Sequence, residues 1–266
     1  MEYLLLSLTG LLAGVLGGML GLGGSVIMIP LMVWILGARV GGREQIHQYQ
    51  AAAMIVNFLV ALPALVAHAR KRAIWWRVWA YLAATALVGM VLGVQLARLF
   101  LGDAAIYLRW LVGAFFVYVA GQNILRLLRP PRQEGLPQAE VEAGPAWRKL
   151  AVGLPAGLLA GLLGIGGGAV AVPAQQAVLK VPLRNAIATS VALIASIAWL
   201  GAILKNVHLG AAGSVARSLE LAACLAPTAM IGSYLGGLLT HRLDLRIVRA
   251  VFAALMALSA AKLLAG

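Results

Sequence analysis

Hydrophobic positions run along this chain in long unbroken blocks, not in the alternation of a strand or the one-sided stripe of a surface helix. Blocks near residues 50–68, 78–97, 106–128, 185–204, 218–240 and 246–265 each reach the roughly 17–25 residues a helix needs to cross a bilayer. Two further blocks, 3–36 and 149–180, are too long for one straight helix, and a glycine cluster interrupts each of them. The interruptions read GMLGLGGSVIMIP at 18–30 and GLLGIGGGAVAVP at 161–173. Between the two series lies RPPRQEGLPQAEVEAGP, rich in proline, glycine and charge, which reads as a flexible polar linker. The pattern predicts an all-α, polytopic transmembrane protein: a first membrane repeat at 1–128, a cytoplasmic linker at 129–147 and a second repeat at 148–266. Each repeat would hold one glycine-broken segment, re-entrant or hairpin, and three spanning helices. Glu2 and the lack of a basic leader mark the N-terminal block as the first membrane segment, not a cleaved signal.

The two series are copies. Aligning 10–30 with 153–173 gives eleven identities in 21 positions, including Gly21/Gly164, Gly23/Gly166, Gly24/Gly167 and Pro30/Pro173. The same offset of 143 pairs Gly89 with Gly232 and Gly93 with Gly236, each pair a GxxxG spacing that lets helices approach closely. These faces are candidates for homodimer contact. The distribution of positive charge bears on how the copies are related. If each broken segment enters and returns on one side, loops 69–77, 126–149, 180–184 and 240–249 share a face with fourteen Lys and Arg against seven opposite. A single crossing by each broken segment gives twelve against nine. The sharper bias favours the first arrangement, in which the second repeat is inverted and the linker lies in the cytoplasm.

Composition narrows the class. Of the 266 residues 62% are hydrophobic and 11% charged, and mean hydropathy is +0.95; soluble domains carry about 25% charged residues. The net charge of +13 sits in short bursts between apolar blocks, such as HARKRAIWWR, and not on a basic helix face, so nucleic acid is not an expected partner. One cysteine, Cys224, permits no intrachain disulfide. The IWWRVW cluster and Trp199 suit an interfacial aromatic belt. Lys205 and Arg184 end spans, where long basic side chains snorkel to the interface, or could guide an anion inward. His47 and His68 also border spans and are candidates for proton coupling.

Non-helical backbone survives at membrane depth only beside protein or a wet cavity, because unpaired amides there cost several kcal/mol each. Between Gly21 and Ile29 glycines weaken a helix and Pro30 turns Ile29 from the α region. A helix could restart at Pro30 or be capped earlier by Ser25. Either way, free N–H groups and a positive helix end would face one place, and such an end favours anions. Inverted copies would bring two such ends together near the midplane. Of the eight Asp and Glu, only Glu220 falls in a span, near its end, whereas cation and metal sites in membranes need buried carboxylates. The substrate-binding candidates are therefore Gly21, Gly23, Gly24 and Ser25, and Gly164, Gly166, Gly167 and Gly168. Gln50, Asn57, Gln175, Gln176, Thr189 and Ser190 are candidate helpers. No catalytic set, metal site or cofactor motif is expected.

The doubled stretches GLLAGVLGGMLGLGGSVIMIPLM and GLPAGLLAGLLGIGGGAVAVPAQ, with NAIATSVALI after the second, resemble the TauE/SafE family of sulfite exporters. The similarity covers essentially the whole chain. It implies an inner-membrane, multi-pass permease for small sulfur-containing anions such as sulfite, sulfoacetate or related organosulfonates. It also implies that the glycine breaks and the Thr189–Ser190 pair border the substrate path. The first half departs from that pattern: it has QAAAMIVNF where the second has AIATSVALI, so Gln50 or Asn57 would stand in for hydroxyls. The alternatives are an anion channel, another small organic-anion permease and, more remotely, an integral membrane enzyme built on His47, Glu44 and Tyr49.

Overall fold

The computed structural model describes residues 2–36, 45–100, 104–128, 135–210 and 213–240, with scattered positions after them. The apolar block at 246–265, the 240–249 loop, Glu44 and the first part of the linker lie largely or wholly outside the described residues. The described elements are α1 (Glu2–Leu20), α2 (Ser25–Leu36), α3 (Gln45–Arg70), α4 (Trp76–Ala97) and α5 (Ala105–Leu128). After these come α6 (Gln138–Ala143), α7 (Ala146–Leu163), α8 (Gly168–Val178), α9 (Leu183–Val207) and α10 (Val215–Leu239). Seven of them are long and apolar enough to cross a membrane: α1, α3, α4 with its terminal 3-10 turn, α5, α7, α9 and α10. The chain is a polytopic all-α membrane protein.

Both long blocks break where the glycines fall. Gly21 and Gly23 end α1 with positive φ, and Gly164, Gly166 and Gly167 do the same after α7; only glycine enters this region without steric cost. Helix resumes at Ser25 and Gly168, so Pro30 and Pro173 each occupy the sixth position inside the new helix. Restart therefore precedes the proline, whose missing N–H costs one internal hydrogen bond. Each restart folds back on its own helix. A Cβ on Gly24 would meet the carbonyl of Ala13, and one on Gly167 the carbonyl of Ala156, eleven positions back in both cases. The broken blocks are thus helical hairpins.

Each hairpin rests on a helix of the other half. Gly10, Gly14 and Gly18 of α1 meet Leu225, Ala229 and Ser233 of α10 backbone to backbone. Gly153, Gly157 and Gly161 of α7 meet Leu82, Ala86 and Met90 of α4. Every pair in the second seam is the first with its halves exchanged at the offset of 143. Gly89 and Gly93 complete the α4–α7 seam and Gly232 and Gly236 the α10–α1 seam, all four buried. This corrects the expectation that the GxxxG faces serve a dimer: they are consumed within one chain.

Contacts also fix the helix directions. Both glycine seams advance in the same sense along their two helices, so α1 runs parallel to α10 and α7 to α4. Gln48 at Ser214 and Val60 at Ser233 make α3 parallel to α10. Lys205 at Gln50 and Gly201 at Met54 make α9 antiparallel to α3, and Thr189 at Trp75 and Ser196 at Trp79 make α4 parallel to α9. One end of the bundle gathers residues 71–77, 136–142 and 180–185. There Leu136 N–H donates to Lys180 O at 2.9 Å, Asn185 Nδ2 donates to Ala73 O at 2.9 Å, and Arg77 pairs with Glu142. The opposite end holds Glu2, Tyr3, Arg217 and Glu220 in mutual contact. Trp75 is buried, its backbone N–H donating to Thr189 Oγ1, so it does not join the interfacial belt, whereas Trp76 and Trp199 are exposed.

Candidate functional site

The two breaks meet. A Cβ on Gly168 would fall on the carbonyl oxygen of Gly21 and 2.8 Å from Leu22 Cα. Asn57, at the middle of α3, touches both segments. A Cβ on Gly23 would lie 3.1 Å from Asn57 Oδ1, and one on Gly166 would lie 2.6 Å from Nδ2. The Asn57 carboxamide makes its two shorter bonds to the first break, with a longer one from Nδ2 to Met54 Sδ at 4.0 Å. Its Oδ1 accepts the Ser25 N–H at 2.9 Å, and its Nδ2 donates to Ser25 Oγ at 2.6 Å. It is therefore the cap of α2, supplied by another helix, and it occupies one of the donors that helix geometry leaves open. At α8 the N-cap is Gly167, and no side chain among the described residues caps it. The two helix starts differ in the preceding residue, left-handed at Gly167 and not at Gly24, and in what covers them.

The remaining candidates form two satellites. Gln50 packs on the second break, with Gly164 against its Cβ and Cγ, and its Oε1 accepts from Lys205 Nζ at 2.7 Å. Lys205 is 6% exposed and does not snorkel. Helical period puts it on the same face of α9 as Ile194, Ile197, Ala198 and Gly201, all buried, so its side chain follows that face inward. Gln175 of α8 donates to Ser190 Oγ at 2.7 Å and to Ala186 O at 3.3 Å. Thr189 turns toward α4 and receives the Trp75 N–H at 3.2 Å. Gln50, Asn57, Gln175, Thr189 and Ser190 are all fully buried. Gln50 Nε2 and Gln175 Oε1 have no hydrogen-bond partner among the described residues, a costly state for buried polar atoms. Of the two candidate histidines, His47 Nε2 bonds Phe100 O at 2.8 Å and His68 Nε2 faces Gly18 O at 3.3 Å.

Open space adjoins the crossing. A narrow crevice runs from Leu20 and Leu22 of the first break, past Val172 and Pro173 of α8, to Tyr118, Gln122 and Asn123 of α5. A smaller one is lined by Gly17, Gly23, Asn57 and apolar side chains of α3 and α9. The α5 polar residues were not among the sequence candidates. They lie far along the chain from either break, and only the packing of α5 brings them near.

The family model for the sulfite exporter TauE/SafE matches residues 6–263. The chain belongs to the TauE/SafE family. Among curated relatives, a probable membrane transporter protein MamO of Magnetospirillum gryphiswaldense is 27% identical over 99% of this chain and 45% of its own length. A probable membrane transporter protein YunE of Bacillus subtilis is 23% identical over 93% of this chain and 92% of its own. One of Xylella fastidiosa is 31% identical over 71% and 68%. The chain spans under half the length of the two MamO relatives it matches. No solved structure matches. Family membership agrees with the seven described helices that are long and apolar enough to cross a membrane.

Proposed function

We propose that this chain is a secondary carrier in the cell membrane for small sulfur oxyanions such as sulfite or organosulfonates, and not an enzyme. Its halves act as inverted-topology repeats that rock against each other, with the anion held where the broken helices cross. The observation that carries the reading is the meeting of the two breaks, Gly168 against Gly21 with Asn57 touching Gly23 and Gly166. Amides at interrupted helices favour negative charge. Because Asn57 already takes the Ser25 N–H, the uncapped start of α8 is the better anion grip. The antiparallel sense of α1 and α7, and of α3 and α9, supports the inversion, as does the clustering of basic loops at the linker end, which is assigned to the cytoplasm.

Reconstitution tests it. Purified protein in liposomes should pass sulfite or a sulfonate faster than protein-free vesicles, with saturation and with acceleration by the same anion on the opposite side. Flux without saturation would make it a channel. No flux across sulfur oxyanions, carboxylates and phosphate would end the proposal.

A further inference from the structure

Lys205 stands in the last turn of α9 with its side chain buried among α3 and α9. Its ammonium meets the Gln50 oxygen at 2.7 Å, and among the described residues no carboxylate pairs with it. The C-terminal dipole of α9 offsets part of the charge. A buried cation still costs several kcal/mol without a full counter-charge. An ammonium only donates, so the Gln50 carboxamide must turn its oxygen to Lys205, which fixes Nε2 on the other side. That Nε2 is buried and, among the described residues, unpartnered. A cation without a counter-charge and an amide without an acceptor therefore stand together, on Lys205 and on Gln50, which packs against the Gly164 break. A single atom can satisfy one of them; a solute with several acceptor oxygens and a negative charge can bridge both.

We propose that Lys205 Nζ and Gln50 Nε2 form an oxyanion-binding station beside the second break, within about two helical turns of the end where α3 begins and α9 finishes. The station rests on the anion-carrier reading and deepens it: Lys205 supplies the full positive charge that amides alone do not. It also makes the path asymmetric, because the positions related by the repeat offset, Leu62 and Leu193, are apolar.

The test uses the whole purified protein, melted with and without sulfite in oxygen-free, chloride-free buffer, and sulfite flux in proteoliposomes. Wild-type vesicles that pass no more sulfite than empty ones would overturn the carrier reading, and the station would then stand or fall on the melting shift alone. Lys205→Met should melt at or above the wild-type temperature without sulfite and should lose the sulfite-induced shift. Its half-saturating concentration should rise by at least about tenfold, the loss of one charge-assisted hydrogen bond. Lys205→Arg should keep the shift. Gln50→Glu gives Lys205 a resident carboxylate; it should raise the melting temperature and abolish the shift, and it decides the matter if Lys205→Met does not fold. An undiminished sulfite shift in Lys205→Met or Gln50→Glu overturns the station, as does a Lys205→Met protein that only melts lower while binding sulfite normally.

Discussion

Asn57 holds the first break shut from the side. Two hydrogen bonds of its carboxamide end on Ser25, the residue that restarts the helix. Asn57→Leu keeps the volume and removes both bonds, leaving a buried N–H unsatisfied at a cost of about 1–3 kcal/mol. The variant should melt several degrees lower, whereas Ser25→Ala, which keeps the N–H bond and loses only the hydroxyl, should fall less. Equal melting of Asn57→Leu and wild type would remove the capping role. At this scale the sequence was informative about type and silent about direction. A polar residue inside an apolar span marks Asn57 and Gln50 at once. The side each one faces depends on which helices come to lie against α3, and that is decided by residues far away in the chain. Lys205 shows the same limit. Its place at a span end implies an outward head group, and only its four-residue spacing from Gly201 hints otherwise.

Among the elements, the parallel seams α1–α10 and α4–α7 are built by glycine rows that bring two backbones into contact. A Cβ on Gly157 would land on the carbonyl of Ala86, and main chain cannot step aside as a flexible side chain can. Gly157→Ala should therefore destabilise by about 1–3 kcal/mol or more, the cost of overpacking. Gly121, within α5, has open space around it. Gly121→Ala should be neutral or stabilising by up to about 1 kcal/mol, the difference in helix propensity. Thermal melting of the pair checks both, and a Gly157→Ala protein as stable as Gly121→Ala would refute the seam. The positions of the breaks were legible because glycine runs and a following proline act locally. The GxxxG spacing was legible as a close-packing face, but its partner was not, since spacing says nothing about whether the facing helix belongs to the same chain.

At the level of the whole molecule, α1, α3 and α10 point one way and α4, α7 and α9 the other, with residues 72 and 208 at opposite ends. With Cys224 replaced by alanine, single cysteines at 72 and 208 should label with an impermeant thiol reagent from opposite sides of a sealed membrane. Labelling of both from one side would overturn the arrangement. The crossed seams also carry a consequence for how such a chain is made. The glycine row of α1 finds its seat only when α10 exists, about two hundred residues later in synthesis, so the first hairpin must wait in the bilayer with its close-packing face unmatched. Neither half is a finished object. Were the halves two separate polypeptides, the same two seams would be what joined them. In one chain, that encounter is a property of a single molecule.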